Sequence, residues 1–159
     1  MKKITLLIAA FAAFTMNAQV TIWEESFEDY QDFDIAILGA YQWDLDESPT
    51  YGAQNFDFEN EEYVGTAIVF NSSVMTDADP NDPQDRTIWN ARTGEKGLYM
   101  IAATSLLNDD YIITPRIDLT SVNAAQFSFW AKSLTDAYGL ERFHVLLSTT
   151  SSNYFDFTV

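Results

Sequence analysis

Carboxylates are the side chains of this sequence best suited to chemistry. In "WDLDES", Asp44 and Asp46 stand two positions apart, so an extended backbone places both on the same side. Their hard oxygen atoms, together with loop carbonyls, are ligands that suit Ca²⁺. Asp44 and Asp46 are therefore candidate calcium ligands. A charged loop beside a buried Trp43 is the alternative interpretation of the same residues.

A second acidic stretch, "DADPNDPQD", follows part of the EF-hand pattern. Asp77, Asp79 and Asn81 occupy its first, third and fifth positions. The sixth position is Asp82 where the pattern needs glycine, and the twelfth is Ile88 where it needs glutamate. We therefore interpret this stretch as a solvated cluster of turns.

Catalytic groups of other kinds are sparse. His144 is the only histidine, and the alternation around it is typical of a strand. Neither G-x-S-x-G nor H-E-x-x-H occurs in the sequence. The six glycines form no glycine-rich phosphate loop. We predict that the chain is not an enzyme.

The charge of the chain limits its partners. The formal net charge is −16, and it becomes −18 if Lys2 and Lys3 are removed with an N-terminal signal peptide, which is described below. So negative a surface disfavours nucleic acid and anionic lipid. Cysteine is absent. An exported domain without disulfides depends on a large sheet core, on a bound metal, or on both.

Residues 1–19 have the layout of a secretory signal peptide, because two lysines precede an apolar run over 4–14 and a small Ala18. The run is too short to cross a bilayer, and no later stretch reaches that length. We predict cleavage near Ala18 or Gln19. Residues 20–159 then form one domain that is exported, without a membrane span.

The elements that must position these carboxylates are strands. Period-two alternation is the commonest pattern, and no helical stripe of useful length occurs. The stretches predicted to be strands are 23–28, 63–70, 97–104, 110–115, 124–134, 141–150 and 153–159. Residues 71–97 predict a long surface loop, with one short strand at Ile88 and Trp89. The fold class is therefore all-β, an antiparallel β-sandwich.

The last predicted strands end without a closing turn. Alternation in 124–134 places Phe127 and Phe129 on one face, and 153–159 begins another strand at which the sequence stops. We expect an exposed sheet edge and partly uncovered apolar faces. Marginal stability and a tendency to associate follow from such faces.

Three segments also carry a family resemblance. "SFE" at 26–28, "NDDYIITPRIDL" at 108–119 and the stretch 124–150 resemble the choice-of-anchor J or cleaved adhesin domain of secreted Bacteroidetes proteins. The resemblance implies a jelly-roll β-sandwich, similar to MAM and carbohydrate-binding modules, with structural calcium. Family members continue through further strands after "STT", so it also implies that residues 20–159 are a partial domain of a longer polypeptide with other domains. Type IX secretion is expected in this family, so the resemblance implies a protein that is secreted or held at the outer-membrane surface.

The resemblance assigns roles to particular residues. Glu28 matches the acidic residue that ends the family's first strand and is the best candidate calcium ligand. Asp44 and Asp46 stand where the family often has an acidic, glycine-rich stretch, although the glycines are missing here. Asp109 and Asp110 match the family's acidic entrance to a strand.

Aromatic side chains offer a weaker prediction about the ligand. Trp43, Tyr51 and Trp89 are candidates for stacking on a sugar, and core packing is the alternative for each. The predicted function is a calcium-stabilised, non-catalytic adhesion module that recognises glycan or protein at the cell surface. The alternative is an ancillary domain of a larger exported peptidase or glycoside hydrolase.

Overall fold

The computed structural model describes residues 20–37, 41–105, 107–137, 139 and 141–158, so the predicted signal peptide at 1–19 lies outside the described residues. Six short strands occur in chain order. They are β1 (Tyr41–Asp44), β2 (Phe56–Asp57), β3 (Ile68–Asn71), β4 (Thr76–Asp77), β5 (Lys96–Tyr99) and β6 (Asp110–Ile113). Three 3₁₀ turns span Ser72–Val74, Thr87–Trp89 and Tyr154–Asp156. The prediction of an all-β protein agrees with these elements, because the described ranges contain no α-helix.

The strands form three two-stranded antiparallel sheets, which pair β1 with β6, β2 with β4 and β3 with β5. The jelly-roll sandwich is a finer prediction than these small sheets establish. None of the helices in the described ranges is long and apolar enough to cross a membrane.

Strand β3 is the centre of the core. Its four residues are all buried, as a continuous apolar run predicts for a strand covered on both faces. Ile68 and Phe70 pack into one apolar cluster, and Val69 packs into a second. The Phe70 ring stacks on Tyr99, with centroids 4.7 Å apart, and on Trp89 at 5.4 Å. The period of the strand thus distributes its side chains between two apolar layers.

Several strand predictions are confirmed in place and shortened in length. Residues 63–70 contain β3, 97–104 overlap β5, and 110–115 contain β6. The predicted strand at 23–28 was wrong, because no strand forms there. Ile88 and Trp89 form a 3₁₀ turn and not a strand, since Trp89 turns inward against Phe70.

The predicted strands in the last third of the described chain were also wrong. Residues 124–134 and 141–150 form no named strand, and Leu147 makes only an isolated bridge to Thr158. Residues 154–156 of the tail form a 3₁₀ turn. The physical reason is that no described element supplies a continuous hydrogen-bonding partner to these stretches. Phe127 and Phe129 do share a face, because their ring centroids lie 5.6 Å apart.

Candidate metal centre

The β1–β6 ribbon gathers three carboxylates from distant parts of the sequence. Asp44 of β1 and Asp110 of β6 are direct partners in the antiparallel register, so their side chains leave the same face of the ribbon. Asp46 follows β1 by two residues. One carboxylate oxygen from each of the three aspartates lies within 4.8 Å of the other two.

Backbone amides hold two of these carboxylates in place. The amide of Glu47 donates to Oδ1 of Asp44 at 2.7 Å, and the amide of Ser48 donates to Oδ1 of Asp46 at 2.9 Å. The amide of Asp109 donates to Oδ2 of Asp46 at 2.8 Å. These bonds tie the turn after β1 to the entrance of β6, and they fix the orientation of both carboxylates before any ion binds.

Asn108 fixes the third carboxylate. Its Nδ2 donates to Oδ2 of Asp110 at 3.1 Å and to the carbonyl oxygen of Ile101 at 2.9 Å, while its Oδ1 accepts from the amide of Ala103. Asn108 therefore stabilises the turn into β6, and its side-chain oxygen is already occupied.

The charges at this centre are unbalanced. The pKa of Asp110 is raised to about 6, mainly by burial and also by the nearby Asp46 and Asp44 carboxylates. By contrast, the hydrogen bond from the amide of Asp109 holds the pKa of Asp46 below its ordinary value. Like charges placed directly opposite one another in a ladder destabilise the pair. The ribbon therefore carries a local repulsion that a cation would relieve.

The residues present fit a calcium ion. Oδ1 of Asp110 is buried and has no hydrogen-bond partner among the described residues. A buried carboxylate oxygen without a partner is costly, and a hard cation is one of the few groups that would satisfy it. Asp44, Asp46 and Asp110 would supply carboxylate oxygens to such an ion, whose positive charge would offset theirs.

The other two predicted metal ligands are placed differently. Asp109 contributes backbone groups, because its amide donates to Asp46 and its carbonyl accepts from Leu45 at 3.1 Å. Oε1 of Glu28 accepts from the amides of Glu95 and Lys96, both at 3.0 Å. The structure thus shows Glu28 anchoring β5, in a different place from the three aspartates. Its role as a calcium ligand stays a prediction.

The acidic loop around Asp77 satisfies its own polar groups. Oδ2 of Asp77 forms an ion pair with Arg86 at 2.8 Å, and its Oδ1 accepts from the amide of Gln84. These two partners lower the pKa of Asp77, the Gln84 amide more than the guanidinium. Asp79 accepts from the amide of Asn81, as in an Asx turn. This agrees with the interpretation as a solvated turn cluster.

The three aromatic candidates occupy three environments. Trp89 packs against the core, where its ring meets Phe70. Tyr51 is 54% exposed. Trp43 lies on the face of the β1–β6 ribbon opposite Asp44, and its ring centroid is 5.3 Å from that of Tyr154. The sequence did not indicate Tyr154 as a candidate, because only the tertiary structure brings the end of the chain next to β1.

The described residues form an all-β protein with three clustered carboxylates that are suited to binding a cation. Comparison with known proteins gives its family. The Cleaved Adhesin Domain family matches residues 59–159, which is more than half of the chain. The chain belongs to the cleaved adhesin family, as the resemblance in the sequence predicted. Membership indicates an adhesion-type module with an extracellular or surface location, in a family that is generally non-catalytic. No curated protein and no solved structure matches the chain.

Proposed function

We propose that this chain is a secreted or surface-exposed adhesion module of jelly-roll type that binds glycan or protein and is stabilised by calcium. The match to the Cleaved Adhesin Domain family carries the adhesion part of the proposal. The convergence of Asp44, Asp46 and Asp110 supports the calcium part. A signal peptide at 1–19 is the proposed route of export.

Calcium would act on structure in this proposal. Asp110 belongs to β6, Asp44 belongs to β1, and Asp46 lies in the connection that follows β1. An ion that binds these three carboxylates would join the two strands at the point where like charges now oppose each other. Calcium would therefore hold the ribbon together, and no chemical step depends on it.

Thermal unfolding with and without calcium tests the metal. An ion that binds only the folded state adds about 2.7 kcal/mol at a hundredfold excess over its dissociation constant. That gain raises the unfolding midpoint by several degrees in a domain of this size. We expect the rise in millimolar calcium relative to a chelator, and we expect Asp44→Asn to abolish it.

Asp79→Asn is the matched control for this experiment, because it removes one carboxylate from an exposed turn and preserves the turn's hydrogen bond. It should leave the calcium response intact. A midpoint indifferent to calcium in the unaltered chain would remove the metal from the proposal. An equal loss in both variants would mean that calcium acts through general charge screening.

Binding of the chain to fixed epithelial cells tests adhesion. We expect saturable binding, which periodate would reduce if the receptor is a glycan and trypsin would reduce if it is a protein. The absence of saturable binding to several cell types and to extracellular matrix would overturn the adhesion proposal, whatever the calcium result.

A further inference from the structure

The face of the β1–β6 ribbon that lies opposite the carboxylates carries a row of aromatic rings. Trp43 and Tyr111 are direct partners in the register and so share this face. The ring of Tyr154 lies 5.3 Å from that of Trp43 and 5.2 Å from that of Tyr111. The ring of Phe155 lies 3.9 Å from that of Tyr154. We call these four residues the aromatic platform.

Core packing does not account for the aromatic platform. Trp43 is 39% exposed and Phe155 is 75% exposed, and none of the four belongs to either apolar cluster of the core. Three of the rings come from two strands and a 3₁₀ turn that are far apart in sequence. The fold therefore assembles a row of rings and leaves much of it open to solvent.

Rings in contact with one another and open to solvent are suited to a ligand with a flat apolar face and polar edges. A sugar ring has both, because its C–H groups pack on an aromatic face while its hydroxyls reach polar groups at the rim. The tyrosine hydroxyls both donate and accept hydrogen bonds.

The negative charge around the aromatic platform limits the class of saccharide that can bind there. Asp156 lies in the same 3₁₀ turn as Tyr154 and Phe155. Residues 20–113 contain twenty acidic and three basic side chains. A field of this sign repels sulfated, sialylated and uronic sugars. The exposed ring faces and the tyrosine hydroxyls match the C–H faces and hydroxyls of uncharged saccharides.

We propose that the aromatic platform formed by Trp43, Tyr111, Tyr154 and Phe155 is a stacking site for an uncharged oligosaccharide. This inference rests on the proposed adhesion function and names its ligand class. The carboxylates on the opposite face of the ribbon would then stabilise the strands that carry two of the four rings.

Titration of the full chain with cellotetraose, chitotetraose and mannotetraose tests the inference, with tetragalacturonate as the anionic comparison. Binding is followed by calorimetry and by tryptophan fluorescence. We expect saturable binding of at least one uncharged tetrasaccharide and an affinity at least tenfold lower for tetragalacturonate. Phe155→Ala and Trp43→Ala should each weaken the binding at least tenfold.

Phe129→Ala is the matched control. Phe129 is 50% exposed and lies outside the aromatic platform, so its removal should change the affinity less than twofold. Because Phe155 is mostly exposed, Phe155→Ala should keep the wild-type unfolding midpoint, which separates a lost site from a lost fold. The inference is overturned if no uncharged tetrasaccharide binds, if tetragalacturonate binds equally well, or if Phe155→Ala binds like the unaltered chain.

Failure of this inference is distinguishable from failure of the adhesion function. Binding to cells that resists periodate, together with no tetrasaccharide binding, would overturn the saccharide site and leave adhesion to protein in place. Equal binding of the unaltered chain and of Phe155→Ala to cells would also overturn the saccharide site and leave adhesion to protein in place. Absence of cell binding, with tetrasaccharide binding intact, would count against adhesion alone.

Discussion

Phe70 and Phe129 both come from apolar stretches that predict strands, but Phe70 is buried in the fold and Phe129 is exposed. Phe70 is 1% exposed and has aromatic rings around it, whereas Phe129 is half exposed and contacts Phe127 and Phe143 on an open face. The same division holds for the two regions that contain them. Every buried residue in the described part of the chain lies between Phe33 and Ile113, and none lies between 114 and 158.

The two regions also differ in charge. Residues 20–113 carry twenty acidic and three basic side chains, and residues 114–159 carry four and three. The acidic region is the one that forms the core, because its strands meet in pairs and bury apolar faces between them. The nearly neutral region presents apolar side chains to solvent. Alternation therefore sets which side chains share a face, and a second layer decides whether that face is buried.

The largest expected effect contrasts these two phenylalanines. Phe70→Ala should lower the free energy of unfolding by about 3–5 kcal/mol, because it removes a large ring from a packed core. Phe129→Ala should change it by less than about 0.5 kcal/mol, as substitutions at exposed positions do. Urea denaturation followed by circular dichroism measures both. Equal losses would mean that residues 124–134 have a packed environment.

The next effect concerns Asp110. Its pKa is about 6 in the folded chain and about 3.8 when unfolded, so the folded state binds the proton more tightly. In chelator the unaltered chain should therefore lose stability as the pH rises from 3.8 to about 6. Asp110→Asn should remove that loss and be more stable at pH 7 by about 1 kcal/mol, after allowance for solvent screening.

Calcium should reverse the sign of this difference. With saturating calcium, Asp110→Asn should be less stable than the unaltered chain, since one of the three proposed ligands has lost its charge. Denaturant unfolding at pH 3.5 and pH 7, each with calcium and with chelator, gives the comparison. The same sign in both solutions at pH 7 would contradict the proposed metal centre.

A smaller effect is expected at Glu28. Glu28→Gln keeps an oxygen near the amides of Glu95 and Lys96 but removes its charge, so a loss of about 0.5–1 kcal/mol is expected. Glu24→Gln, which removes one charge from an exposed glutamate, is the matched control and should have no measurable effect. If the loss is the same in calcium and in chelator, Glu28 serves only to anchor β5. A loss that appears only in calcium would support its predicted role as a ligand.

The smallest effect on stability is expected at Phe127 and Phe129, where substitution should instead reduce self-association of the chain. Exposed apolar patches favour contacts between molecules. Phe127→Ser combined with Phe129→Ser should leave the unfolding midpoint nearly unchanged and shift sedimentation profiles toward the monomer. Tyr51→Ser, at another exposed aromatic, is the control. Concentration-dependent association that persists in the double variant would place the contact elsewhere.

Sequence patterns predicted the class of the fold well and the lengths of its strands poorly. The apolar run at 63–70 identified β3, because a strand buried on both faces needs no alternation. The regular alternation at 141–150 predicted a strand that does not form, since a strand also needs a hydrogen-bonding neighbour. Sequence carries little information about that neighbour when the pair is far apart along the chain.

The sequence by itself determined the negative charge, the absence of cysteine, the cleaved adhesin resemblance and the same-side placement of Asp44 and Asp46. Only the tertiary structure decided which other carboxylate joins them. The register of β1 with β6 selected Asp110 in preference to Asp109, while the amides of Glu95 and Lys96 hold Glu28 outside the cluster. The same register placed Trp43 opposite Tyr111, where Tyr154 and Phe155 complete the aromatic platform. The physical reason is that alternation is a local property of an extended backbone, whereas register depends on contacts across the whole chain.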